Sequence, residues 1–153
     1  MLKFFRLLWV FTALAFFATL ILSYAFLPER VGILADAEGI PNEFVSKATF
    51  FYSALGIFVV INLMGSVFLG VLSAVPDSSG FYFRSEEFKE NITSWFSTFI
   101  SIVNVFLITA TLYVSLFNNQ GDYTIGEFNY LIYIAPLLLA ASFFWLVYII
   151  VRR

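Results

Sequence analysis

The chain of 153 residues contains no cysteine and no histidine. Without cysteine there is no disulfide, no thiolate metal site, no iron–sulfur cluster and no acyl-thiol anchor. Without histidine there is no imidazole ligand for haem or zinc, and no Ser-His-Asp or Cys-His nucleophile. Charge is scarce as well. Only 12% of residues are charged, with 8 Lys+Arg against 10 Asp+Glu, a formal net charge of −2. No basic run is present, which argues against nucleic acid as a partner. No Walker loop, dinucleotide fingerprint or HExxH occurs. The absences point away from an enzyme and give no reason to expect a cofactor.

Apolar side chains are what the chain has in excess. Hydrophobic types make up 61% of it, and the mean hydropathy is +0.94. A soluble domain is about half apolar and about a quarter charged, so the composition is that of an integral membrane protein. Charges divide the chain into four uncharged runs: Leu7 to Pro28, Ala48 to Pro76, Asn91 to Gly121 and Phe128 to Val151. They are 22, 29, 31 and 24 residues long. Crossing a hydrocarbon core of about 30 Å takes ~20 helical residues, so each run crosses once and none crosses twice. The runs are continuously apolar and lack the alternation of a barrel strand. The expected fold is all-α: one membrane domain over residues 1–153, a four-helix bundle. Its helices are placed at about 4–27, 48–75, 86–117 and 128–151. The connections are an outer loop 28–47, an inner loop 76–85 and an outer loop 118–127.

Lys3 and Arg6 precede the first run, and Ser23-Tyr24-Ala25 has the small-x-small form of a signal-peptide cleavage site. The apolar stretch is long for that role, so it is read as a retained anchor helix. Four spans place both termini on one side. That side holds Lys3, Arg6, Arg84, Lys89, Arg152 and Arg153, and the other holds Arg30 and Lys47. The positive-inside rule makes both termini cytoplasmic. Trp9, Trp95 and Trp145 fall near the cytoplasmic ends of the spans, and Tyr24, Tyr52, Tyr113, Tyr130 and Tyr133 near the outer ends. Those are the depths where amphipathic rings anchor at the interface.

Two stripes mark helix faces inside the membrane. The third span carries Ser94, Ser97, Ser101, Asn104, Thr111 and Ser115 at alternating steps of three and four, with Ile108 in the gap. The second carries Asn62, Ser66, Gly70 and Ala74, each four apart. Small residues let helix backbones approach, and polar ones hydrogen-bond across. Asn62 and Asn104 each lie ~21–23 Å from their flanking charges at 1.5 Å per residue, near the midplane. A buried amide there needs a partner, so the two are expected to face each other or the bundle interior. The stripe residues Asn62, Ser66, Gly70, Ser97, Ser101, Asn104 and Thr111 are read as a helix-packing seam; a polar pathway is the alternative. No Asp, Glu, Lys or Arg lies within a span, which counts against an ion-coupled transporter. Ser85, followed by Glu86 and Glu87, reads as an N-cap. Pro136 in the fourth span reads as a tolerated kink.

The first outer loop carries a second pattern. Leu27-Pro28, Asp36, Gly39, Pro41, Asn42 and Ser46-Lys47 occur in an order and spacing that resemble the first outer loop of a small bacterial membrane domain of unknown function. That domain also forms the N-terminal part of SdpI-type immunity proteins, which protect cells against a secreted killing peptide. The resemblance covers about Phe16 to Gly70. Gly32 stands where the family usually has proline, and Leu34 where it usually has histidine. The resemblance implies a bacterial inner-membrane address and an immunity or signalling role, with Pro28, Asp36, Gly39, Pro41, Asn42 and Lys47 as recognition residues. Asp36, Glu38 and Glu43 supply oxygen ligands of the kind that hold Ca²⁺ or Mg²⁺. Their spacing matches no EF-hand, and a solvated acidic cap with no metal is the preferred reading.

Three functions remain. The first is a non-catalytic accessory subunit docked on another integral membrane protein. The second is an SdpI-like immunity or signalling protein that senses an exported peptide. The third is a small channel or transporter using the Asn62 and Asn104 region. In all three the protein is a multi-pass resident of the bacterial inner membrane, with the lipid bilayer as its solvent. Reporter tags fused at the two ends of the chain are expected to label the same compartment, the cytoplasm; labelling of opposite compartments refutes the four-span threading.

Overall fold

The computed structural model describes residues 2–35, 41–75, 85–119 and 125–152. Four helices dominate: α1 (Leu2–Phe26), α2 (Lys47–Ala74), α3 (Glu86–Asn118) and α4 (Tyr130–Val151). All four are long and apolar enough to cross a membrane. A short 3-10 turn, Ile125–Phe128, precedes α4, and α4 runs through Pro136 without ending. α2 is capped by Ser46, whose hydroxyl accepts from the Thr49 N–H at 3.0 Å. α3 is capped by Ser85, which accepts from the Phe88 N–H at 3.1 Å. Each cap satisfies one of the amides that a helix start leaves without a partner.

The bundle is helical throughout, but the expected outer loop 28–47 is not irregular. It folds as an antiparallel hairpin of β1 (Arg30–Ala35) and β2 (Pro41–Ser46). The base is closed by Lys47 N–H donating to the Glu29 carbonyl at 3.0 Å. Val31 points into the bundle and is fully buried, and so is Leu27 just before it. β-branched Val31 and Val45 pair directly across the two strands, as such residues favour on a pleated surface. Near a membrane surface the hairpin also satisfies backbone groups that an irregular loop leaves to water.

α3 is the hub. α1, α2 and α4 all pack on it, while α1 and α2, though consecutive, approach less closely. α3 also has the largest buried share of the four spans. The reason lies in its side chains. Ser97 and Ser101 are wholly buried and short, so the α1 backbone comes close. Both hydroxyls donate back to their own helix, to the Thr93 and Ser97 carbonyls at 2.9 Å. They act as spacers, and the bonds between helices come from elsewhere. Thr111 is buried on α3 as well.

The seam on α2 differs from the one expected. Its buried residues are Phe58, Gly65 and Leu69, whereas Ser66 and Gly70 face outward. Ser66 donates to the Asn62 carbonyl at 2.9 Å, and a Cβ on Gly70 meets nothing within 4 Å. The physical reason is angular. Four residues turn a helix by about 400°, so a strict four-residue stripe drifts about 40° per step off any straight contact line. Steps alternating between three and four follow the contact line, and Asn62 is the only residue of the expected stripe that lies on it. A Cβ on Gly65 meets the Ile100 side chain at 3.2 Å. Gly65→Leu is therefore expected to destabilise the bundle by about 1–3 kcal/mol. Gly70→Leu should stay within about 0.5 kcal/mol. Thermal unfolding of both variants in detergent checks this, and equal effects refute it.

Candidate functional site

The cluster that ties three helices together lies around Asn62 and Asn104. The Asn62 Nδ2 donates to Asn104 Oδ1 at 2.8 Å, and Asn104 Nδ2 donates back to Asn62 Oδ1 at 3.1 Å. The two carboxamides thus pair head to head across α2 and α3. The Trp9 indole N–H of α1 donates to the same Asn62 Oδ1 at 2.7 Å. Asn62 Nδ2 gives its second proton to the Phe58 carbonyl at 2.9 Å. Asn104 Nδ2 also reaches the Thr12 hydroxyl at 3.5 Å, which itself donates to the Trp9 carbonyl at 2.9 Å. Asn62 therefore uses both amide protons and accepts twice, which is its full capacity. Asn104 has no solvent exposure.

Below this layer, toward the hairpin, the Phe16 and Phe58 rings stack with centroids 4.5 Å apart. Phe16, Leu20 and Phe58 form the buried apolar core of the α1, α2 and α3 contact. Further out, Tyr24 meets Phe51 edge-on, and the Lys47 ammonium sits 4.7 Å from the Tyr24 ring centroid. An ammonium over an aromatic face is attracted by the ring quadrupole.

Two tryptophans expected at the interface turn inward. Trp9 bonds Asn62 as described, and the Trp95 N–H donates to the Ser142 carbonyl on α4 at 2.9 Å. An indole N–H surrounded by hydrocarbon takes the nearest acceptor that the bundle offers. Trp9 and Thr12 are the members of the cluster that the stripes did not reveal. The signal was there to be read: Trp9, Thr12, Thr19 and Ser23 recur on α1 at alternating steps of three and four, with Phe16 in the gap.

The outer residues divide. Pro28 is exposed between α1 and β1, Pro41 opens β2 half-buried, and Asn42 is exposed within β2. Asp36, Gly39 and Glu38 lie outside the described residues. The residue that organises the hairpin is Asn118, the last of α3. Its Oδ1 accepts the Gly32 N–H at 2.6 Å, and its Nδ2 donates to the Gly32 carbonyl at 2.9 Å and to the Val114 carbonyl at 2.8 Å. The carboxamide thus occupies the outer edge of β1 as a neighbouring strand would. A Cβ on Gly32 would stand 2.8 Å from the Pro41 Cβ. Proline at position 32 would also remove the N–H that Asn118 accepts. The glycine is thus matched to Asn118. The Asn118-Asn119 pair at the end of an uncharged run is a signal, but it does not say which amide faces the hairpin.

Among the described residues no group of three or more Asp and Glu could hold a metal ion. Comparison with family models, with curated proteins and with solved structures returned no match for the chain. The amide cluster is closed on itself and its chemistry is that of a lock between helices. Asn62→Leu and Asn104→Leu are each expected to cost about 0.6–2 kcal/mol, because each strands the other amide in hydrocarbon. The double variant should cost less than the sum, with a coupling of about 0.5 kcal/mol or more. A double-mutant cycle by thermal unfolding in detergent measures it, and strict additivity contradicts the lock.

Proposed function

We propose that the chain is a non-catalytic accessory subunit of a larger complex in the bacterial inner membrane, with both termini in the cytoplasm, docked through one open side of its bundle. The observation that carries this reading is a half-buried apolar flank of α3, exposed at Phe106. On a helical wheel at 100° per residue, Phe96, Phe99, Val103, Phe106 and Ala110 fall within one face about 80° wide. Toward α2 this face opens into a groove of about 590 Å³, lined by Gly65, Phe68, Phe96, Phe99 and Ile100 among others, all apolar. Toward α4 it opens into a second groove of about 230 Å³ around Phe106, Ala110, Val114 and Leu131.

From Phe96 to Val114 the two grooves follow α3 for ~27 Å at 1.5 Å per residue, nearly the thickness of a hydrocarbon core. That length suits a transmembrane helix of another protein. The saturated amide cluster supports a packing role for Asn62 and Asn104 over a conducting one. An immunity role rests on the resemblance of the hairpin segment alone, so the subunit reading is preferred.

Photo-crosslinking side chains placed at Met64 and Phe106 test the flank in native membranes. Both should join the chain to one larger membrane protein, whereas the same group at Leu14, exposed on α1, should not. Lipid adducts alone at all three positions refute the reading. A product of twice the chain's own mass refutes it too, in favour of a homodimer.

A further inference from the structure

At the end of the bundle that carries both chain termini, α3 and α4 part. The Phe5 and Trp145 rings, 5.4 Å apart, place the start of α1 at this same end. The cleft between α3 and α4 has a volume of about 470 Å³. Glu87 and Asn91 line it from α3, and Trp145, Tyr148, Ile149 and Arg152 from α4. The α4 residues recur at steps of three, one and three, so they form one helix face. The cleft therefore has a polar rim of both charge signs and an apolar wall of Trp145 and Ile149. It also lies where the uncharged spans end, at the depth of lipid headgroups.

We propose that this cleft binds the headgroup of a zwitterionic phospholipid of the phosphoethanolamine type. Arg152 takes the phosphate and Glu87 takes the ammonium. The Arg152 guanidinium is already oriented: it lies over the Tyr148 ring at 5.5 Å and donates one N–H to the Tyr148 hydroxyl. Four of its five N–H donors remain for a phosphate, in the fork geometry that suits two oxygens at once. The Glu87 carboxylate accepts from a primary ammonium, which carries three N–H donors; a trimethylated headgroup carries none.

A second observation lies about one helical turn deeper in the bundle than the residues that line the cleft. The Trp95 bond to the Ser142 carbonyl fixes the level at which α3 and α4 meet again. There the hydroxyls of Ser94 and Ser142 are both buried with no hydrogen-bond partner. A buried hydroxyl without an acceptor costs about 1–3 kcal/mol. Ser94 lies ~4.5 Å below Asn91 along the helix axis, the side on which the ester carbonyls of a phospholipid follow its phosphate. A neighbouring polar basin at the same end lies between α1, α2 and α3 and is lined by Arg6, Ser73, Glu86, Lys89 and Glu90. There Lys89 Nζ donates to the Val75 carbonyl at 2.6 Å, and Arg6 donates to the Ser73 hydroxyl at 3.5 Å.

The test uses the full chain in detergent micelles, with lipids of identical acyl chains carrying phosphoethanolamine, phosphocholine or phosphoglycerol headgroups. Native mass spectrometry reads what is retained. The phosphoethanolamine lipid should be held about tenfold more tightly than the phosphocholine lipid, the scale of one charge-assisted hydrogen bond. Glu87→Gln should abolish that preference and leave retention of the phosphoglycerol lipid unchanged. Arg152→Gln should weaken all three lipids, and Arg6→Gln should change nothing. A merely structural role for Glu87 would not move headgroup selectivity while sparing one lipid. Equal retention of the three lipids by the native chain overturns the proposal. So does competition by free phosphoethanolamine at the lipid's own concentration, which would make the ligand a soluble headgroup compound.

Discussion

A pair of carboxamides buried between apolar helices governs this bundle. Apolar side chains in a membrane discriminate weakly between one helix register and the next, because lipid tails are as apolar as leucine. The Asn62–Asn104 pair does discriminate. It forms two hydrogen bonds between α2 and α3 in one register and loses both in any other. Trp9 brings α1 into the same constraint through Asn62. One polar layer thus fixes the depth of three helices, and the aromatic stack of Phe16 on Phe58 adds area at a register already chosen.

The central place of α3 follows from the same economy of polar groups. α3 carries the short hydroxyl side chains that permit close approach, and they satisfy themselves on their own helix. The polar bonds from α3 to its neighbours come from other residues, Asn104 to α2 and Trp95 to α4. Three neighbours do not enclose a cylinder completely, and the phenylalanines at Phe96, Phe99 and Phe106 mark the side left open.

Outside the hydrocarbon, α3 performs a different task with the same side-chain chemistry. Asn118 offers β1 the amide and carbonyl of an extra strand, and Gly32 is the residue that can accept both without a clash against Pro41. The hairpin is thereby fastened to the helix that also organises the membrane layer. Asn118 and Asn104 lie fourteen residues apart on the same helix. At the opposite end, the parted ends of α3 and α4 leave charged and apolar groups side by side.

The sequence alone determined the properties that depend on length and on local chemistry. Four uncharged runs of membrane length give four helices, Ser85 begins one of them, and two asparagines placed near the midplane must find partners. Those follow because a backbone in oil has to satisfy itself, and because a buried amide has to as well. Tertiary structure decided everything that depends on angle and on contact between distant segments. It turned Gly65 inward and Gly70 outward, since a four-residue stripe drifts around a helix by about 40° per step. It gave the Trp9 and Trp95 indoles acceptors on neighbouring helices, and it paired residues 30–35 with 41–46 where the local pattern read as a loop. It also put α3 at the centre, because burial is a property of neighbours, and one strand of sequence does not contain them.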